Sequence, residues 1–465
     1  MTTTAGAQHS DVLVLGGGSA GYATAFRASQ LGLSVTLVEM DKIGGTCLHR
    51  GCIPTKALLH VAEIAEAARA GSMFGVDSSF NGVDIPSVRK YQRNTVDRLY
   101  TGLKSLVKQH RITVVAGLGK YMGDHTITVA ETAAYTGAAV VLATGSYPRS
   151  LPGIETGKRI LTSDDALRLD MAPQKVVVLG GGVIGVEFAS IWASFGAQVT
   201  IIEALPRLIA TEDPWSSKQL ERAFKKRGIT VLTNARMASA KETAHGVTVE
   251  ITDGDTLDAD VLLVAVGRNP RSADLGLEEH GIRLDEGFVT TDERLHTNVE
   301  GVYAVGDLVA GPQLAHRGFQ HGIFVAEEIA GLAPIPLPDH QFPRVTYSHP
   351  EVASVGLDEH AAKQRYGDVS AAVYDLGGNA RSQILQTSGG IKVIRADTPS
   401  SAGPVVGIHM VGDRVSELIG EAQLAVAWEA LPEEIGRFIH AHPTQNEALG
   451  EAMRVLAGAP LHAHG

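Results

Sequence analysis

Asp11-Val12-Leu13-Val14-Leu15-Gly16-Gly17-Gly18-Ser19-Ala20-Gly21 is the stretch that decides the fold, continued by a helical run and then by Ser34-Val35-Thr36-Leu37-Val38-Glu39. It reads as strand, glycine turn, helix, strand, acid. The same text returns as Lys175 to Leu179, then Gly180, Gly182 and Gly185, a helix through Ser194, a strand from Gln198 to Ile202, and Glu203. Every matched residue is displaced by 164 positions, Gly32 with Gly196 and Thr36 with Thr200 included.

A single G-x-G-x-x-G says little, because glycine-rich turns occur in many loops. Two of them in one strand and helix context, each with an acid 18 residues after its third glycine, form a dinucleotide-binding signature rather than two ordinary βα turns. The first glycine, Gly16 or Gly180, makes the turn; the second, Gly18 or Gly182, admits a pyrophosphate to the backbone N–H groups; the third, Gly21 or Gly185, packs helix on strand. The helix N-terminus then faces the phosphates, and Glu39 or Glu203 reaches a ribose hydroxyl. The chain is therefore expected to bind two dinucleotides. A carboxylate at Glu203 accepts from a free 2′-hydroxyl and repels a 2′-phosphate, which favours NAD over NADP; nearby Arg207 is the one feature pointing the other way.

The 465 residues amount to about three single-domain lengths, so two or three packed units are expected. With 44% hydrophobic and 20% charged residues, and 52 glycines without a tripeptide period, the composition is that of an α/β enzyme and excludes disorder and collagen. A net charge of −11, with no long Lys/Arg run, argues against nucleic acid and anionic lipid as partners. The polar start from Met1 to Ser10 has no leader character and no stretch approaches about 18 uninterrupted apolar residues, which predicts a cytoplasmic protein off the membrane. Asp258 to Gly267 and Val302 to Asp307 read as strands ending in turns. From Val345 the text changes: Ala371 to Asp375, Gly390 to Ile394 and Val405 to Met410 read as antiparallel strands, and Glu417 to Ala430 and Glu447 to Leu456 as helices of an α+β unit.

The chain's two cysteines sit in Gly44-Gly45-Thr46-Cys47-Leu48-His49-Arg50-Gly51-Cys52-Ile53-Pro54-Thr55-Lys56. In a reducing compartment a lone close pair is redox-active or metal-binding more often than a structural staple. Five residues of regular helix rise about 7.5 Å, too far for a disulfide, so the backbone here must bend, and Gly51 and Pro54 permit it. No second pair completes a tetrahedral zinc site, so no metal is expected. A dithiol needs a two-electron acceptor beside it; the first glycine unit then takes FAD and the second NAD(H). His49 and Arg50 are expected to supply positive charge that favours thiolate.

Near the C-terminus stands His440-Ala441-His442-Pro443-Thr444-Gln445-Asn446-Glu447. Thr444 and Glu447 have the spacing of a capping box that opens the last helix. The same Glu447 can hold the His442 ring, so that the imidazole takes and returns a thiol proton.

With these residues quoted, the chain resembles the class I pyridine nucleotide-disulfide oxidoreductases over nearly its whole length, and within them the dihydrolipoamide dehydrogenases, in a form similar to the actinobacterial enzymes. The resemblance rests on the Cys47 to Lys56 motif, Ala143 to Ser146, Gly267-Arg268-Asn269-Pro270, Ala304 to Asp307, Leu314-Ala315-His316, Ser348 to Gly356, and His442 to Leu449. Its Leu-His-Arg-Gly between the cysteines departs from the Leu-Asn-Val-Gly of many relatives, which bears on substrate preference.

The resemblance implies an FAD-binding domain split between residues 1–150 and 274–340, an NAD-binding domain at 151–273 and a dimerisation domain at 341–465. It implies that Cys47 exchanges with the substrate sulfur, that Cys52 faces the flavin as charge-transfer donor, and that His442 with Glu447 is the acid/base for the other subunit. It places Glu39, Gly119, Ser146, Asp307 and Ala315 on FAD, Lys56 paired with Glu187 near the flavin, and Gly267 with the second glycine turn on NAD. The implied reaction is oxidation of dihydrolipoyl groups with NAD⁺. The implied partners are a second copy of the chain and a lipoyl-bearing acyltransferase of a 2-oxoacid dehydrogenase complex or a glycine-cleavage carrier. The competing expectation is an NAD(P)H-dependent reductase of another low-molecular-weight disulfide. Mercuric and large thioredoxin reductases usually need a second redox pair, which this chain lacks.

Overall fold

The computed structural model describes residues 8–130, 133–398 and 401–463; the polar start read above lies outside them as far as residue 7. The chain divides into two compact units. One comprises the chain up to Ala57, Pro86–Arg149 and Arg268–Asp339; the other comprises Leu58–Ile85, Ser150–Gly267 and the chain from His340.

In the first unit the strand Gln8–Leu15 pairs in parallel with Val35–Glu39 on one side and Ala133–Leu142 on the other. Thr113–Ala116 and Val302–Ala304 extend the sheet in parallel, and Thr126–Val129 and Gly119–Tyr121 add an antiparallel edge. Both faces are covered, which is why the strand text is apolar throughout instead of alternating. Val12, Val14, Leu37 and Val141 enter a core on one face with Ala25, Ala28, Phe324 and Val325 of the helices Ser19–Gln30 and Ala315–Ile329. Their neighbours Leu13, Leu15, Val140 and Leu142 enter a second core on the other face, with Tyr121, Ile127 and Leu275. Each such side chain, removed wholly from water, stabilises the fold by about 1.5–3 kcal/mol. The two helices approach closely because Gly322 lies against Ala20: a Cβ there would fall 2.4 Å from the Ala20 carbonyl oxygen.

The second unit repeats the parallel arrangement with Thr230–Leu232, Gln198–Ile202, Lys175–Leu179, Val261–Val264 and Ile160–Leu161 in that order. A three-stranded antiparallel sheet, Met237–Glu242, Val247–Ile251 and Thr256–Ala259, shares its core. From His340 the chain forms an antiparallel sheet in the order Arg344–Thr346, Glu351–Gly356, Ser401–Gly412, Gly390–Thr398, Val369–Asp375. Helices Val415–Ala427 and Glu447–Leu456 bury Leu418, Ala422, Leu449 and Met453 in that sheet's core. This is the α/β architecture, with a C-terminal α+β portion, that the sequence text predicts.

Candidate active site

The two glycine turns have the same geometry. Glu39 accepts the Gly17 N–H through Oε2 at 2.6 Å and the Asp41 N–H through Oε1 at 2.8 Å. Glu203 accepts the Gly181 N–H through Oε2 at 2.6 Å and the Leu205 N–H through Oε1 at 2.7 Å. Each acid is thus locked at the lip of its turn. A Cβ on Gly21 would lie 1.8 Å from the Gly16 carbonyl oxygen, and one on Gly185 1.9 Å from that of Gly180, so the third glycine is required by packing. Around Gly18 and Gly182, which cap the helices Ser19–Gln30 and Val183–Phe195, a Cβ would meet no atom within 4 Å. Open space at a helix N-terminus, with an acid fixed beside it, is the cradle a dinucleotide pyrophosphate and ribose require. Both turns fit. Arg207 Nη2 donates to the carbonyls of Ala210 at 2.6 Å and Glu212 at 3.2 Å.

The cysteine segment is clipped to the first turn. Gly44 N–H donates to the Gly17 carbonyl at 2.8 Å, and a Cβ on Gly45 would come within 2.7 Å of Gly18 Cα. Helix Gly45–Arg50 stops at Gly51, whose φ of −142° and ψ of −112° break it, and Cys52–Ala70 starts anew. A Cβ on Gly51 would lie 2.9 Å from the Thr46 carbonyl oxygen. The break brings the thiols together. The Cys47 thiol is pushed far up, by its hydrogen bond with Cys52 first, then by burial and the charge of Cys52. Lys56 and the Ser19 hydroxyl oppose that rise. The helix turns His49 Nε2 to the Ile43 carbonyl at 2.9 Å, with its ring edge-on to Tyr100, and Arg50 reaches Asp41 at 3.3 Å; the positive charge facing Cys47 is that of Lys56.

Asp307 and Ser146 meet in the same unit. Ser146 Oγ donates to Asp307 Oδ2 at 2.6 Å and accepts from Arg268 Nε at 2.8 Å, while Arg268 Nη2 donates to the Ser146 carbonyl at 3.0 Å. Behind the Asp307 turn, burial first and then the charge of Arg317 push the His321 imidazole down to about 3, so it stays neutral and accepts the Gly306 N–H at 3.4 Å. Ala315 is the first residue of its helix. Gly119 packs against the ends of two sheet strands, where a Cβ would lie 2.6 Å from Leu15 Cδ1 and 2.9 Å from Val38 Cγ1. Gly267 closes the strand Val261–Val264 in left-handed backbone, φ +112°.

In the second unit His442 Nδ1 lies 2.8 Å from Glu447 Oε1, and Glu447 Oε2 accepts the Thr444 N–H at 2.7 Å. Glu447 N–H returns to Thr444 Oγ1 at 3.3 Å, so the expected reciprocal pair forms, but it lies ahead of the final helix, which starts at Glu447 with Asn446 as an N-cap that makes no side-chain bond. The His442 side chain is 66% exposed. Glu187 is 3% exposed and accepts the Tyr347 N–H at 3.0 Å; it belongs to the second unit and Lys56 to the first.

Two residues escape the sequence reading. Arg268 lies inside a quoted motif, but nothing in the text ties it to Ser146. Tyr22 lies on the helix Ser19–Gln30 near both thiols, and its phenol is pushed up to about 12, by burial first and then by the charges of Cys47 and Cys52. Only its place after Gly21 could have marked it.

The sequence profile of the family described as pyridine nucleotide-disulphide oxidoreductase matches residues 10–322, and that of the family's dimerisation domain matches residues 342–453. The chain is 39% identical to a dihydrolipoyl dehydrogenase of Bacillus subtilis, covering 97% of this chain and 99% of the other. It is 37% identical to dihydrolipoyl dehydrogenase 1, mitochondrial, of Arabidopsis thaliana, covering 99% and 92%. Among solved structures, LpdA from Mycobacterium tuberculosis superposes with a TM-score of 0.89 at 26% identity, covering 97% and 99%. The HOCl-induced flavoprotein disulfide reductase RclA from Escherichia coli superposes with a TM-score of 0.85 at 25% identity, covering 96% and 100%.

Proposed function

The chain belongs to the pyridine nucleotide-disulphide oxidoreductase family, and from that premise we propose that it oxidises protein-bound dihydrolipoyl groups to lipoyl with NAD⁺ as acceptor. It is an FAD-dependent disulfide oxidoreductase carrying the family's dimerisation domain. The observation that carries the reading is the Cys47–Cys52 dithiol held against the first glycine turn.

In the oxidised enzyme a substrate thiol gives its proton to His442 and attacks Cys47, and Cys52 leaves as thiolate. The second substrate thiol then attacks the first substrate sulfur, the bond from that sulfur to Cys47 breaks, and Cys47 leaves with the second thiol's proton. One enzyme disulfide is broken and one lipoyl disulfide formed, so the electron pair rests on the dithiol. Bound FAD and NAD⁺ together supply the two-electron relay that carries it off. Gly16, Gly18, Gly21, Glu39, Gly119, Ser146, Asp307 and Ala315 are assigned to holding FAD, with Lys56 and Glu187 beside its reactive ring. Gly180, Gly182, Gly185, Glu203 and Gly267 are assigned to NAD. Glu203, with Arg207 already occupied by carbonyls, supports NAD over NADP.

His442 is assigned to the active site of the other subunit. Its exposure supports this, because an acid/base that works on thiols away from water needs a covering surface. Phe438 at 61% exposed and Ile439 at 99% lie just ahead of the segment His440–His442, as expected of residues that a second copy covers.

Steady-state rates with dihydrolipoamide, glutathione disulfide and other small disulfides, each against NAD(H) and NADP(H), test the reading. Preferential turnover of dihydrolipoamide with NAD⁺ is expected. Faster reduction of a small disulfide by NADPH would replace it with the competing one.

A further inference from the structure

The segment that carries His442 runs from His440 to Asn446 between two helices, and both its ends rest on one carboxylate. His440 Nε2 lies 2.9 Å from Glu421 Oε1, and Asn446 Nδ2 donates to Glu421 Oε2 at 2.6 Å. Glu421 belongs to the buried-faced helix Val415–Ala427, so its place is fixed independently of the segment. The His440 ring lies against the final helix at Gly450, where a Cβ would fall 2.6 Å from its Cε1 and Nδ1. The middle of the segment is tied as well: Asn379 donates to the Thr444 carbonyl at 3.0 Å and Ser382 to Gln445 Oε1 at 2.7 Å. His442 is left projecting from a frame whose two ends Glu421 sets.

We propose that Glu421 and His440 form a second His–Glu pair that positions the His442–Glu447 pair, Glu421 clamping both ends of the segment. The His440 ring meets the Glu421 carboxylate through Nε2 at 2.9 Å, a contact that favours its protonated form. The titratable groups facing it are Glu421 from one helix and Glu447 from the other. The Glu421 bond first, and the two negative charges after it, hold His440 above the ordinary imidazole range against the opposing effect of burial. The clamp is therefore whole below the ordinary imidazole value and loosens as pH rises through the raised one. This rests on the acid/base reading of His442 and adds to it the residues that aim the ring.

The test uses dimeric, FAD-loaded full-length enzyme, with rates normalised to bound FAD. Glu421→Gln keeps the shape and removes the charge; kcat is expected to fall roughly 10- to 100-fold through misplacement of the ring. The alkaline limb of kcat should also move to lower pH, as His440 loses its partner. A role in stability alone would lower the active fraction and leave that limb in place. His440→Gln, a donor that does not titrate, should retain more activity than Glu421→Gln and lack the His440 contribution to the alkaline limb. Unshifted limbs in both variants overturn the proposal. His442→Ala separates the two ideas: if it turns over at the wild-type rate, the acid/base reading itself fails. If it is slow while both other variants behave as wild type, only the clamp fails.

Discussion

His442 and Glu447, the first residue of the final helix, are joined at 2.8 Å through the carboxylate that also accepts the Thr444 N–H at 2.7 Å. Helix start and imidazole orientation are therefore one structural unit. Burial raises the Glu447 carboxyl, but the Thr444 N–H and His442 outweigh it and hold it below the ordinary range. A depressed folded value means the ionised bond is present at neutral pH and is lost only as pH falls through that value. His442→Ala should lower kcat by roughly 10² to 10⁴. Glu447→Gln should lower it less and should move the acid limb of the pH profile. Equal rates for wild type and His442→Ala would dissociate the pair from chemistry.

The glycines of the second turn should respond in opposite ways. Gly182→Ala adds a methyl to open space at φ −74°, so thermal stability should stay within about 0.5 kcal/mol of wild type while KM for NAD⁺ rises. Gly185→Ala drives its Cβ into the Gly180 carbonyl and should cost roughly 1–3 kcal/mol or more in urea unfolding. The reverse ranking in stability would contradict the packing argument.

Glu203 should set the nucleotide preference. Loss of one hydrogen bond to a charged group costs about 1.5–3 kcal/mol, so Glu203→Ala should weaken NAD⁺ use by roughly 10- to 100-fold. It should also narrow the gap to NADP⁺, by removing the repulsion without freeing Arg207 from its carbonyl partners. Wild-type enzyme using NADPH as well as NADH would refute the assignment.

Below the C-terminal sheet, Lys392 Nζ lies 2.9 Å from Asp213 Oδ2 and 2.8 Å from Glu359 Oε2, with the Asp213 side chain wholly buried. Lys392→Ala strands that carboxylate, so unfolding in urea should show a loss of about 3–5 kcal/mol. Burial pushes the Asp213 carboxyl up, but Lys392 and His409 bring it below its ordinary value, and the stabilisation should fade as pH falls through that lowered value. A loss under about 1 kcal/mol would mean that the site repacks or admits water.

Much of this was legible in the text because a few short-range rules carried it. The glycine spacing and the terminal acid predict both turns, and the bend at Gly51 follows from the reach of a disulfide against the rise of a helix. The contacts of His49 and Arg50 were not legible: which way a side chain leaves a six-residue helix depends on the Ile43 carbonyl and on Asp41 across the turn. Ser146 meets both Arg268 and Asp307 across more than a hundred residues of chain, and no local pattern encodes such a meeting. Glu421 has no motif at all; it becomes visible only when the helix Val415–Ala427 is seen to present it to both ends of the histidine segment.

The central claim, that Cys47 and Cys52 accept electrons from a dihydrolipoyl group and yield them to NAD⁺, is open to one direct measurement. Oxidised, FAD-loaded enzyme is mixed anaerobically with one equivalent of dihydrolipoamide, quenched with a thiol-alkylating reagent, and the peptide carrying both cysteines is weighed by mass spectrometry. A parallel sample receives NAD⁺ or NADP⁺ before the quench. The account predicts that both cysteines take label after dihydrolipoamide, that NAD⁺ abolishes the labelling, and that NADP⁺ leaves it in place. Cysteines that stay unlabelled after dihydrolipoamide, while a small disulfide and NADPH turn over, would contradict it.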